Sequence, residues 1–223
     1  MKLINLEKIL VNKYNHLLIG EILLILAFPF VEGLKIEFPV LGCFFLMVMI
    51  PALHVVLSFK AFMSLMSLGV CVALLRILTH FSVFPSEIGK AVIIFTDAFC
   101  AFFLLFAITA LIKRISSRKV VTTDTIKGGV SVYFLIGLLW TFLYKITLGF
   151  NPNAYSHITN EMVDCFYYSF ATLTTLGPGD ISPVTTSAKF LAILEAFVGQ
   201  VYLAIFIAQL IGLHLGEKLR ETK

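Results

Sequence analysis

The chain has 223 residues, of which 59% are hydrophobic and 13% charged, with a mean hydropathy of +0.98. A soluble domain carries roughly 25% charged residues, so this composition excludes a water-covered globule and makes lipid the solvent. The formal net charge of +4 is too modest for nucleic-acid binding and reads instead as membrane orientation. Cys43, Cys71, Cys100 and Cys165 form no C-x-x-C pair. They read as small apolar packing residues, with no disulfide framework or metal site.

The spacing of apolar and polar stretches predicts an all-α membrane protein with six spans of about 20 residues each. Lys2, Lys8 and Lys13 precede the first span, about His16–Val31. No small-residue cleavage site follows it, and further apolar runs do, so a cleaved signal peptide is rejected. Gly33 to Glu37 is a polar break. The second span is about Phe38–Phe59, with Pro51 as a kink and His54 as an interhelical residue. Lys60 marks the next boundary. The third span is about Ala61–His80, ended by the loop around Phe84-Pro-Ser-Glu87, and the fourth is about Ile88–Ile112. The densest basic cluster, Lys113 to Lys119, comes next, followed by a linker with a helix cap expected at Asp124. The fifth span is about Ile126–Ile146. A polar stretch, Gly149 to His157, precedes a short amphipathic run, Glu161–Thr174. The sixth span is about Thr186–Leu215, and Glu217–Lys223 reads as a charged tail.

The basic residues lie mostly in the N-terminal segment, the loop after span four and the C-terminal tail. With an even number of spans these three places share one side, so the positive-inside rule puts both termini in the cytoplasm. The segment between spans five and six then faces outward.

That segment contains Asp164-Cys-Phe-Tyr-Tyr-Ser-Phe-Ala-Thr-Leu-Thr-Thr-Leu-Gly-Pro-Gly-Asp-Ile-Ser-Pro183. It resembles the potassium-channel signature, T-x-T-T-V-G-Y-G-D. Thr172, Thr174, Thr175, Leu176, Gly177, Gly179 and Asp180 match or change conservatively, and Pro178 stands where tyrosine is usual. A pore that strips water from an ion must offer rings of oxygen in exchange. Backbone carbonyls supply them when the strand alternates in conformation, which needs glycine where φ is positive. The resemblance implies ion-binding carbonyls at Thr175, Leu176, Gly177 and Pro178, with the Thr175 hydroxyl. Gly179 completes the filter, and Thr172, Thr174 and Asp180 support it and form the outer mouth. Glu161–Thr174 has the length and polarity of a re-entrant pore helix whose C-terminal end points at the cation.

Asp124 to Trp140 and Leu194 to Ala204 look like the outer and inner helices of bacterial potassium-channel family proteins of the two-transmembrane pore-domain type. The chain thus divides into a four-helix transmembrane domain (1–115), a pore domain (120–215) and a short cytoplasmic tail (216–223). The resemblance implies a homotetramer, because one loop cannot ring an ion. It also implies residence in a bacterial inner membrane, contact with lipids, and permeant potassium as the only bound metal, with no cofactor. Proline at 178 keeps its carbonyl but loses an N–H and the family's bracing aromatic ring. Potassium selectivity is therefore less secure than cation conduction.

The first four spans lack the arginine ladder of a voltage sensor, since the fourth has none before Arg114. Glu21, Arg76 and Asp97 are charges in apolar context and are expected to form an intramembrane network, in which removing Arg76 would strand a carboxylate. Glu195 in span six reads as a bonding residue near the pore. Gly199 is a candidate gating hinge, with close helix packing as the alternative role. No catalytic triad spacing, metal-ligand pair or phosphate-binding loop points to an enzyme. The sequence therefore leads to a tetrameric cation channel without steep voltage sensing. The alternatives are a weakly selective cation channel, or a non-conducting membrane sensor or partner subunit with channel architecture.

Overall fold

The computed structural model describes residues 14–33, 59–81, 83–117 and 122–221. These form six α-helices: α1 (Asn15–Gly33), α2 (Phe59–His80), α3 (Ser86–Ser116), α4 (Thr123–Phe150), α5 (Glu161–Leu173) and α6 (Thr186–Glu221). Nearly all of the expected second span, with Cys43, Pro51 and His54, lies outside the described residues, as do Lys2, Lys8 and Lys13.

The starts of α3, α4 and α5 have local causes. Pro85 directly precedes α3, Glu87 sits in its first turn, and Lys113 and Arg114 sit in its last. The charges thus oppose the ends of the helix dipole. At α4 the expected cap moves. Thr122, not Asp124, is the N-cap, and Thr122 and Thr125 exchange side-chain and backbone hydrogen bonds in a capping box. Asp124 falls inside the first turn, where its charge complements the dipole. The Asn160 side chain caps α5 by accepting from the amides of Met162 and Val163. Asp164 Oδ2 reaches back to the Thr159 and Asn160 amides at 2.6 and 2.8 Å. α6 runs on to Glu221, into the stretch that the sequence reads as a tail.

Among the described residues α3, α4 and α6 (over Thr186–Leu213) are long and apolar enough to cross a membrane. Twenty-eight helical residues, the length of α4, extend about 42 Å, more than the roughly 30 Å of a hydrocarbon core. Shorter apolar helical stretches occupy Asn15–Leu26 and Ser67–Thr79.

The centre of the protein is α4. Its Val132, Leu135 and Leu138 pack with Leu17 of α1, Leu104 and Leu111 of α3, and Leu173 of α5 in one buried cluster. A second cluster joins Tyr144 and Leu148 of α4 to Tyr155, Cys165, Tyr168 and Ile181 around the loops beside α5. The apolar stretch of α4 is 67% buried by the chain itself, against 11% for that of α6. Most of α6 therefore presents Phe190, Ile193, Phe197, Ile205 and Ile211 outward.

Candidate functional site: the loop after α5

The amphipathic helix α5 buries Cys165, Phe166, Tyr168, Ser169, Ala171 and Leu173 and ends at Leu173. Its last carbonyls are satisfied by the residues that follow. Thr174 N donates to Phe170 O (3.1 Å), Thr175 N to Thr172 O (3.0 Å) and Leu176 N to Ala171 O (2.8 Å). The chain is thereby turned out of the helix and held against its last turn.

Beyond this turn the backbone alternates. Thr175, Gly177 and Gly179 have φ of +58°, +54° and +83°, while Leu176 and Pro178 between them do not enter that region. Two of the three left-handed positions carry glycine, which adopts them without strain. Proline, confined to φ near −65°, falls on a position where φ is negative. Sequence reasoning asked for positive φ at both glycines, and they have it. Thr175 is the exception, a β-branched residue in a region that disfavours it. Its hydroxyl donates to the Thr174 carbonyl at 2.6 Å. Thr174 through Asp180 are all exposed, Leu176 at 71%.

Two further contacts fix the height of this loop. The Tyr133 hydroxyl of α4 donates to the Leu173 carbonyl at 3.0 Å. Gly199 of α6 lies so close that a Cβ there would sit 2.7 Å from Leu173 Cδ1 and 2.9 Å from Leu173 O. Gly199 is thus a point of close helix approach. On the far side of the loop, Tyr155 and Pro183 form an antiparallel bridge. Ser156 N donates to Ser182 O at 2.9 Å, and Val184 N to Ala154 O at 2.8 Å. This clasp ties the segment before α5 to the segment after the loop. Asp180 Oδ1 accepts from the Ile181 amide at 2.9 Å. Desolvation, and then the hydrogen bond to Asp180, raise the Tyr167 phenol above its ordinary pKa.

The intramembrane charges are arranged differently from the sequence expectation. Asp97 of α3 and Arg76 of α2 do meet, with Oδ1 3.4 Å from the guanidinium. The same oxygen also takes the ammonium of Lys145 from α4 at 3.1 Å. Removing Arg76 therefore leaves Asp97 paired, not stranded. Arg76 donates in addition to Ile93 O and Thr96 Oγ1, at 3.2 and 3.1 Å. Glu21 stands apart from this group. It is buried on α1 opposite α4, with Ser131 facing it, and neither carboxylate oxygen reaches a hydrogen-bond partner. Sequence reasoning missed Lys145, a lysine within the predicted fifth span, although an intramembrane charge there was the available signal.

The chain therefore presents, in sequence, a long apolar helix, a short helix, an alternating glycine-bearing loop and a second long apolar helix. Residues 130–213 match the family model described as ion channel. The matched segment takes in most of α4, all of α5, the loop and the apolar part of α6. Three curated relatives are potassium channels by name. Two-pore potassium channel 4 of Arabidopsis thaliana is 36% identical over 87 residues, covering 38% of this chain and 31% of the relative. The voltage-gated potassium channel Kch of Escherichia coli (strain K12) is 29% identical over 118 residues, covering 53% and 27%. Two pore potassium channel a of Oryza sativa subsp. japonica is 35% identical over 78 residues, covering 35% and 21%. This chain thus spans between a fifth and a third of the length of these relatives. No solved structure matches it.

Proposed function

We propose that the chain is one subunit of a homotetrameric cation channel that conducts potassium through a filter of backbone carbonyls. The observation that carries this reading is the alternation of φ at Thr175, Gly177 and Gly179. Successive residues of opposite hand turn their carbonyls toward the same side. A strand of this kind lines one quarter of an axial pore, and the ion needs four. The carbonyls of Thr175, Leu176, Gly177 and Pro178 are the ion ligands, with Gly179 closing the filter. Thr172, Thr174 and Asp180 are its support and outer mouth.

Several features support the arrangement. α5 enters and leaves on one side of the membrane as a re-entrant pore helix, flanked by α4 and α6. The 71% exposure of Leu176 fits a segment that other copies cover. With the six spans expected from the sequence, the positive-inside rule puts both termini in the cytoplasm, within a plasma membrane. The function class is a conducting pore, not an enzyme. Lipids and monovalent cations are its partners.

Pro178 favours a second reading for selectivity alone, a pore that passes cations but separates potassium from sodium weakly. It lacks the N–H and the aromatic ring that would hold the oxygens from behind.

A flux assay tests the proposal. Purified protein in potassium-loaded liposomes should release potassium when an ionophore supplies the counter-current, and Gly177→Ala should be silent. No flux from a fully assembled wild type would refute conduction and leave the non-conducting subunit reading.

A further inference from the structure

Behind the filter-bearing helix lies a chain of oxygen atoms with no water-exposed member. Glu195 of α6 is 0% exposed, and so are Ser169 of α5 and Thr141 and Tyr144 of α4. Ser169 Oγ lies 2.6 Å from Glu195 Oε1 and 2.7 Å from the Gly137 carbonyl oxygen. The Tyr144 hydroxyl meets the other carboxyl oxygen, Oε2. Thr141 Oγ1 meets the same Gly137 carbonyl at 2.9 Å.

Each of these four oxygen–oxygen contacts needs one hydrogen between its atoms. The three hydroxyls supply three. Thr141 gives its hydrogen to Gly137 O, Tyr144 gives its own to Glu195, and Ser169 has one for two neighbours that would both accept. The Gly137 carbonyl has none to offer. If Ser169 spent its hydrogen on Glu195, two oxygen lone pairs would face each other at 2.7 Å across the Gly137 contact. The alternative is that Ser169 donates to Gly137 O and receives from the carboxyl group. That arrangement satisfies all four contacts and places no net charge in the interior.

Among the described residues, the neighbours offer no cation to hold a carboxylate. Lys145, next to Tyr144 in sequence, directs its ammonium to Asp97. The remaining groups around this corner are phenols: Tyr144, Tyr155 and Tyr168 pack ring against ring at 4.9 to 5.5 Å, and Tyr133 of α4 lies one turn nearer the loop, bonded to Leu173 O.

We infer that Glu195 is a neutral carboxylic acid whose proton is donated to Ser169, and that this acid is the positioning residue that ties α6 to the pore helix. The tie runs in register with the next turn of each helix: Glu195 meets Ser169, and four residues on Gly199 meets Leu173. Two successive contacts thus set the level of α5, and Leu173 is the last residue before the loop turns out toward the filter. Only the effect on conduction rests on the channel reading above. The proton itself does not.

The test separates the two. Infrared spectra of the purified protein in lipid at neutral pH should show the carbonyl stretch of a protonated carboxyl. That band should shift in deuterated buffer and disappear in Glu195→Gln. Glu195→Gln keeps a neutral donor and acceptor in the same shape. It should assemble like wild type and restore most of the potassium flux that Glu195→Leu loses, a loss of about tenfold or more for a broken buried hydrogen-bond chain. The absence of any protonated-carboxyl band that depends on Glu195 would overturn the proton, whatever the flux. A Glu195→Gln variant that fails to assemble, or assembles but conducts no better than Glu195→Leu, would overturn the positioning role. Flux absent from wild type while the Glu195 band is present would count against the channel reading alone.

Discussion

At the scale of single residues the proposed filter turns on Pro178 and its two flanking glycines. The alternation of φ puts Pro178 where its ring is tolerated, which explains how the loop keeps its conformation with proline in place of an aromatic residue. In the proposed filter Pro178 offers neither an N–H donor nor the family's bracing ring, which leaves the proposed oxygen ligands with less support. Pro178→Tyr is expected to raise the potassium-to-sodium permeability ratio, read from reversal potentials in mixed salts. An unchanged ratio would mean that the ring is not what holds the oxygens. Gly177 is different in kind. At φ of +54° any Cβ meets the backbone itself, and alanine there costs more than the roughly 0.4–1 kcal/mol that such a change gains at compatible sites. Gly177→Ala should fold, because nothing else lies within 4 Å of the added atom, yet lose conduction. Circular dichroism together with flux separates those two effects.

At the scale of elements the protein depends on α4, which faces α1, α3, α5 and α6 at once. Asp97 ties α3 to both α2 and α4 through Arg76 and Lys145. Removing the shared carboxylate leaves a buried ammonium and a partly buried guanidinium opposed, whereas removing one cation leaves a pair. Asp97→Asn should therefore destabilise by about 3–5 kcal/mol, the usual cost of breaking a buried pair from one side, and Arg76→Met by clearly less. Thermal unfolding in detergent gives the order, and a larger loss for Arg76→Met would contradict it. Gly199 makes a second element-level test. An added methyl would press on Leu173 from 2.9 Å away at its carbonyl, so Gly199→Ala should cost about 1–3 kcal/mol, the range for overpacking. A hinge without a packing role would tolerate alanine with no loss of melting temperature.

The whole molecule shows which of these features could be read from the sequence. Helix positions for α1, α2, α3, α4, α5 and α6 follow from apolar runs and their polar breaks, because each depends on neighbours within one or two turns. The conformation of the loop after α5 was legible for the same reason: the positive φ of Gly177 and Gly179 is local, and glycine marks it. Contacts between elements were not. Lys145 and Asp97 lie 48 residues apart, Tyr144 and Glu195 lie 51 apart, and nothing in the residue order says which faces of two apolar helices meet. The Asp124 cap was misplaced by two positions because Thr122 and Thr125 bind each other reciprocally, a pairing that single-residue preference does not reveal. Those cross-helix contacts are the ones that position α5, so the sequence marks the loop's backbone conformation and the packing shows how the loop is held.

Assembly and gating belong to the same scale. The outward apolar face of α6 and the exposed 174–180 segment predict a fourfold mass in native detergent or nanodisc measurements, and a monomer or dimer would contradict the proposed pore. Within α3 the basic side chains Lys113 and Arg114 stand at its last turn, with no arginine ladder through its apolar length. Conductance should therefore vary gently with voltage, with an apparent gating charge of about one or less against the three to four per subunit of arginine-rich sensors.

The central claim is that the 175–179 backbone binds and passes potassium. Planar-bilayer recording of the purified tetramer, with potassium on one side and sodium on the other, tests it most directly. The account predicts unitary currents whose reversal potential is displaced toward the potassium equilibrium potential, and their loss in Gly177→Ala. Currents that reverse near zero would place the chain among weakly selective cation pores. Currents unaffected by Gly177→Ala would contradict the assignment of the pore to this loop.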